Sequence, residues 1–200
     1  VSPVSGVAAS ATVAAGGLAG GADAESDSAL RARLLDRIRQ PPAGGAARDY
    51  EAWALAVPDI TRAWVYPEEL GPGTVTIRVV SDDAVGGPIP GAPKIAEVQA
   101  YIDERRPVTA VPTVVAPVAV PLAMTIQLTP STQAVRDAVA AEIADMIRRE
   151  AVPGGTILLS HLREAISLAA GETDHVLVSP TASVAHATGQ IAVPGTITWS

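Results

Sequence analysis

His161, Glu164 and His175 are the residues whose types and spacing come closest to a reactive constellation. His161 and Glu164 stand three positions apart, so a helix would carry both on one face, and His175 opens the next strand-like run. Two imidazoles and a carboxylate with a fourth position open could hold a zinc ion, which would make the chain a metal-dependent hydrolase. The spacing matches no established zinc signature, and a histidine beside Ser160 at a helix start reads equally as a surface or capping residue. His186 sits in a loop of small residues and reads as exposed. The acidic pairs Glu68 with Glu69 and Asp82 with Asp83 flank turn signals and read as solvated loops rather than acid/base partners.

Other chemistries lack their frames. Lys94 is the one lysine and follows Pro93 without the GxxxxGK of a phosphate-cradling loop. Gly71-Pro72-Gly73 runs into a strand, whereas a dinucleotide site needs a helix there, and no GxSxG turn exposes a serine nucleophile. The absence of cysteine excludes a disulfide framework, a thiolate nucleophile and any Cys-based metal site. The residues therefore point to a protein without enzymatic activity, without a cofactor and without a small-molecule substrate.

Composition narrows the partners. A chain of 200 residues that is 48% hydrophobic and 18% charged is too apolar for disorder and buries roughly 70% of its unfolded surface. The 17 glycines and 17 prolines cut it into many short elements. A net charge of −7 opposes a global attraction to nucleic acid or to an anionic membrane. With no Phe, three Trp and three Tyr, a stacking platform for bases would be thin, and Trp53, Trp64 and Trp199 read as core packing. Residues 107–135 carry no charge, but Pro107, Pro112, Pro117, Pro121 and Pro130 break any spanning helix, so the stretch reads as strands and no membrane insertion is expected. The chain starts at Val1 without an initiator Met, which suggests a piece of a longer protein.

The elements follow from periodicity and punctuation. Val4–Val13 is strand-like, and GGLAGGA after it is a flexible connection. In ESDSALRARLLDRIRQPP, Asp27 or Ser28 can cap a helix, Leu30, Leu34 and Ile38 recur every fourth residue, and Pro41 with Pro42 stops it. Arg31, Arg33, Arg37 and Arg39 make this helix the one basic run, interrupted by Asp36. Its tether and its double proline set it apart from the rest, so Leu30, Leu34 and Ile38 with Arg31 and Arg37 form the candidate protein interface, packing onto the lobes being the alternative. A helix from about Arg48 to Val57 precedes ITRAWVY, whose Ile60, Arg62, Trp64 and Tyr66 share a face, and TVTIRVV completes a hairpin. Pro93 opens a helix with Ile95, Val98 and Ile102 on one side. Beyond the proline-rich strands, MTIQL alternates, and Thr129 with Pro130 predicts the start of the longest helix, to Glu150, with Val135, Val139, Ile143, Met146 and Ile147 inward. Ser160 can cap a helix to Ala170, HVLVS is a strand, and a last strand lies near Gly195–Trp199.

An offset of 113 residues superposes Glu51, Ala52 and Ala56 on Glu164, Ala165 and Ala169, and Val65 and Pro67 on Val178 and Pro180. PGTVT at Pro72–Thr76 echoes PGTIT at Pro194–Thr198. Each copy would be helix, strand, proline turn, strand, and a two-stranded ribbon is too small to be stable alone. The expected fold class is α+β: two related small lobes, each with helices on a short, mostly antiparallel sheet, plus an N-terminal strand and helix. The boundaries are 1–45 for the N-terminal part, 46–120 for the first lobe and 121–200 for the second.

Particular strings add a family to this reading. RIRQPPAGGAARDYEAWA, TRAWVYP, GPGTVT and LREAISLAAGE, in that order within residues 16–200, resemble the baseplate J-like family of contractile-tailed phages. The resemblance implies a wedge subunit of the tail baseplate that links hub, sheath and fibres. It also implies other baseplate subunits and further copies around a sixfold axis as partners, a place in the virion tail after assembly in the bacterial host cytoplasm, and no catalytic residues. Family members are usually longer at the N-terminus. Beside it stand the hydrolase built on His161, Glu164 and His175, and a generic protein-binding module.

Overall fold

The computed structural model describes residues 24–39 and 43–200. The expected strand at Val4–Val13, the glycine-rich connection and the Pro41–Pro42 stop lie outside the described residues. Two units separate, one holding the first helix and the other everything from residue 43 onward. The first helix, α1, spans Asp27–Arg39. Its cap is Ser26, whose Oγ accepts the Ala29 N–H at 3.2 Å, one residue before the caps expected from sequence.

In the second unit, α2 (Ala47–Leu55), β1 (Arg62–Pro67), β2 (Thr74–Val80), α3 (Ala92–Asp103) and β3 (Val111–Val115) form the first lobe. The strand order is β1-β2-β3, with β1 and β2 antiparallel and β2 and β3 parallel across the α3 crossover. The β-branched run of β2 buries Ile77 and Val79 completely against Val98 and Ile102 of α3 and Tyr50 and Ala54 of α2. Each such side chain contributes about 1.5–3 kcal/mol by leaving water. Asp49 closes the start of α2: its Oδ2 accepts the N–H groups of Ala43, Gly45 and Ala46 at 3.1, 2.7 and 3.0 Å. Burial pushes this carboxyl up, but those backbone donors outweigh burial and hold it below the usual range.

The second lobe holds β4 (Val118–Thr129), α4 (Gln133–Glu150), β5 (Thr156–Ile157), α5 (Leu159–Ser167), β6 (Asp174–Ser179), β7 (Val184–Ala185) and β8 (Gln190–Trp199). Its main sheet runs β6-β4-β8, antiparallel on the β6 side and parallel on the β8 side, while β5 and β7 pair separately. The inward face of β4 packs on the expected stripe of α4 and on Leu162, Ala165 and Ile166 of α5. The cap of α4 is Thr132, which accepts the Val135 N–H at 3.4 Å, because Thr129 is the last residue of β4. Leu158, rather than Ser160, occupies the N-cap of α5, and the helix ends at Ser167, short of the expected Ala170. At the register shift between Leu122 and Met124, a Cβ on Gly195 would stand 2.6 Å from the Leu122 carbonyl. The two backbones approach more closely there than any side chain permits.

The fold class is mixed α+β, as the sequence indicates. The internal repeat is only half present in the topology. The pairs α2–β1 and α5–β6 recur at the expected spacing, but β2 is the hairpin partner of β1 whereas β8 lies on the far side of β4 from β6. No ribbon of β6 with β8 forms in the second lobe, because the twelve-residue β4 lies between them and supplies hydrogen bonds to both. Each three-stranded sheet therefore mixes one antiparallel with one parallel pairing.

Candidate assembly interface

The helix α1 exposes its apolar side chains. Leu30, Leu34 and Ile38 are 48%, 57% and 66% exposed, and Leu35, which an every-fourth-residue reading misses, is 40% exposed. At 100° per residue the four span an arc of about 140°, wider than a chance pair and typical of a face that packs on something. Arg31 is exposed; Arg37 lies on the same helix, but its side chain is outside the described residues. Arg33 forks onto Glu25, Nε to Oε1 at 3.0 Å and Nη2 to Oε2 at 2.8 Å, and this hydrogen bond lowers the Glu25 pKa. The arginine charge is thus partly answered locally beside an open apolar stripe.

The reactive constellation does not assemble. His161 Nδ1 lies 2.6 Å from Glu150 Oε2, tying the start of α5 to the end of α4. That hydrogen bond raises the His161 pKa, with Glu164 only the last of the contributing charges. His175 Nδ1 lies 2.9 Å from Glu172 Oε1 in a nearly buried pair. Among the described residues no group of three His, Cys, Asp or Glu could hold a metal ion. His186 is buried rather than exposed, with Nδ1 3.2 Å from the Gly155 carbonyl, because β5 and β7 fold their loop inward. A cleft of about 570 Å³ is lined by Asp59, Asp83 and Lys94 among others, whose charges are already answered: Lys94 by Asp59 and Glu97, Asp83 by Arg148. Among the described residues no helix is long and apolar enough to cross a membrane.

Two of the supposed loop carboxylates are structural. Asp82 is 7% exposed and accepts from Arg62 Nε and Nη2, both at 2.8 Å, and from Thr61 Oγ1 at 2.6 Å. Burial pushes its carboxyl up, but the bonds from Arg62 and Thr61 outweigh burial and leave it low. Glu69 pairs with Arg78 at 3.0 Å, and Arg78 stacks on Tyr66, 4.6 Å from the ring centroid. The same face of β1 then reaches the second lobe: Arg62 Nη1 donates to the Ala151 carbonyl at 2.8 Å and Tyr66 Oη to the Pro153 carbonyl at 2.9 Å. Trp64 packs on the second lobe's core from between them. Alternation had placed Arg62, Trp64 and Tyr66 together, but nothing in the sequence said what they would meet. The three tryptophans all border the apolar cores.

Comparison with known proteins gives this arrangement its relatives. Residues 42–116 match the Baseplate J-like central domain and residues 120–200 the Baseplate J-like protein C-terminal domain. The chain is 38% identical over 201 residues to JayE of Escherichia coli strain K12, covering all of this chain and 75% of that protein. It is 38% identical to the Mu-like prophage FluMu protein gp47 of Haemophilus influenzae, over 91% of this chain and 54% of that one. It is 33% identical to baseplate protein gp47 of Escherichia phage Mu, over 92% and 53%. The chain thus spans about half the length of the two gp47 proteins. A chain in the sixfold-symmetrised cryo-EM structure of the anti-feeding prophage baseplate shares the fold, with a TM-score of 0.63 at 14% identity over 86% of this chain and 42% of that one. Two consecutive family domains over the whole second unit, in the order the sheets occur, establish that this chain belongs to the Baseplate J-like family.

Proposed function

We infer that the chain is a structural, non-enzymatic subunit of a contractile-tail baseplate, a wedge component that links hub, sheath and fibres and repeats around the tail's sixfold axis. The observation that carries this reading is the run of both family domains across residues 42–116 and 120–200 on a fold shared with a baseplate chain. The helix α1 is its contact to neighbouring subunits: a 13-residue helix with an open apolar stripe and flanking arginines suits a helix-in-groove contact with an acidic-rimmed apolar surface. The lobes fold as the N-terminal part, the first sheet and the second sheet, with boundaries near residues 45 and 120. The assembled protein resides in the virion tail, built in the host cytoplasm. Quantitative mass spectrometry of purified tail particles tests the reading. Peptides of this chain at a multiple of six per particle support it, and their absence from particles that contain the remaining tail proteins refutes it.

A further inference from the structure

The boundary between the two family domains and the boundary of the packing do not coincide. The domains meet between β3 and β4, at residues 116–120, yet the first sheet is covered on both faces. Ala63, Ile77 and Val79 share one core with α2 and α3. The register pairs Arg62 with Val80, Trp64 with Arg78 and Tyr66 with Thr76, so these six side chains lie on the opposite face. Val80 on that face is fully buried and belongs to the apolar core of the second lobe, with Trp64 and Ile89 packed against the same core. Thr76 and Arg78 are also buried, 2% and 8% exposed.

Polar contacts flank that shared patch. Arg62 Nη1 and Tyr66 Oη reach the carbonyls of Ala151 and Pro153 from the two ends of β1. Arg78, on the neighbouring strand, lies against the turn before β8, where a Cβ on Gly189 would stand 3.3 Å from its Nη2. Arg148 of α4 pairs with Asp83 at 2.9 Å, beyond the end of β2. A hinge turns about an axis, so the contacts that survive its motion lie along one line. These lie on two strands and beyond one of them, and they meet α4, the α4–β5 connection and the β7–β8 turn. We propose that residues 43–200 are one rigid, cooperatively folding body, that the boundary between the family domains is not a hinge, and that a contracting baseplate rearranges through contacts between subunits rather than inside this unit. Parting the lobes would bring Val80, Trp64 and Arg78 into water together and break both carbonyl bonds, so partial opening is disfavoured. Only the statement about contraction rests on the baseplate reading.

Hydrogen exchange on the purified chain tests the single body, because the slowest amides report opening of the whole cooperative unit. The amides of Ile77 and Val79 in the first lobe and of Ile126 and Val139 in the second are expected to have protection within about threefold of one another. Val80→Ala, which hollows the second lobe's core from a strand of the first, lowers both sets by the same factor, about tenfold or more. Wild-type protection that differs by more than about tenfold between the lobes, or a loss in Val80→Ala confined to one of them, overturns the proposal. In tail particles, the absence of native cysteine lets Asp83→Cys with Arg148→Cys, both at exposed positions, be bridged across the join by a short bis-maleimide. Bridged particles contract as unbridged ones do; a bridge that blocks contraction places a hinge at this boundary and overturns the proposal. The exchange result needs no tail particle, so it stands or falls apart from the baseplate reading.

Discussion

Replacing Arg62 by Met isolates the join between the two sheets. The side chain makes two charge-assisted bonds to Asp82, at 2.8 Å each, and one to the Ala151 carbonyl at 2.8 Å. Breaking a buried ion pair from one side costs about 3–5 kcal/mol, because the remaining charge stays desolvated. Arg62 is 23% exposed and Asp82 only 7%, and Thr61 still donates to the carboxylate, so the expected loss is about 2–3 kcal/mol. For a folded unit of this size that lowers Tm by roughly 5–10 °C. The double variant Arg62→Met with Asp82→Leu removes the stranded charge and recovers most of the loss. The sign with pH follows from the low Asp82 pKa. Its stabilisation is present above the unfolded value of about 3.9 and disappears as pH falls through the lower folded value. The gap between wild type and Arg62→Met therefore narrows in acid. Urea titrations at neutral and acid pH measure it, and hydrogen exchange at residues 151–153 reports the loosened join. A loss under about 0.5 kcal/mol at neutral pH, the scale of an ordinary surface substitution, would refute the reasoning, since Asp82 would then be solvated.

Other outcomes can be checked alongside. Leu34→Asp leaves the cooperative melt of the second unit within about 0.5 kcal/mol of wild type, because the residue is exposed, but abolishes incorporation into tail particles; loss of the melt instead would make α1 part of the core. Gly195→Ala forces β4 and β8 apart at Leu122, for a loss of about 1–3 kcal/mol in denaturant titration. Leu162→Ala, at a fully buried site, costs about 2–5 kcal/mol. The raised pKa of His161 means its bond to Glu150 stabilises fully below the unfolded value of about 6.5 and is lost as pH rises through the higher folded value. His161→Gln therefore lowers Tm more at pH 6 than at pH 9, and an NMR titration that finds this imidazole at or below its ordinary value contradicts the pairing.

Much of the fold is legible because its signals are local. Proline and glycine stop and start elements by fixing or freeing φ, so Pro93 at α3 and the hairpin turn between β1 and β2 are visible without any partner. The stripe Val135, Val139, Ile143, Met146 and Ile147 is buried as its period demands, since a helix has only one way to hide it. The helix α1 is equally legible, from Leu30, Leu34 and Ile38 at helical spacing. The absence of a phosphate loop, serine elbow or cysteine follows from residue identity alone.

What sequence could not decide is non-local. Where β8 pairs depends on competition between β6 and β4 for its edge, and the longer β4 wins by offering hydrogen bonds along both sides. Asp82 reads as a solvated turn residue until β1 brings Arg62 and Thr61 to it, and His186 reads as exposed until β5 and β7 close over it. His161 and His175 each lie near a carboxylate in the fold, but a different one, so the spacing that suggested a metal site becomes two separate pairs. The covering of the first sheet's second face emerges only when β1 and β2 bring Arg62, Trp64, Arg78 and Val80 together against the second lobe, because alternation within a strand fixes which residues share a face but not what that face will meet.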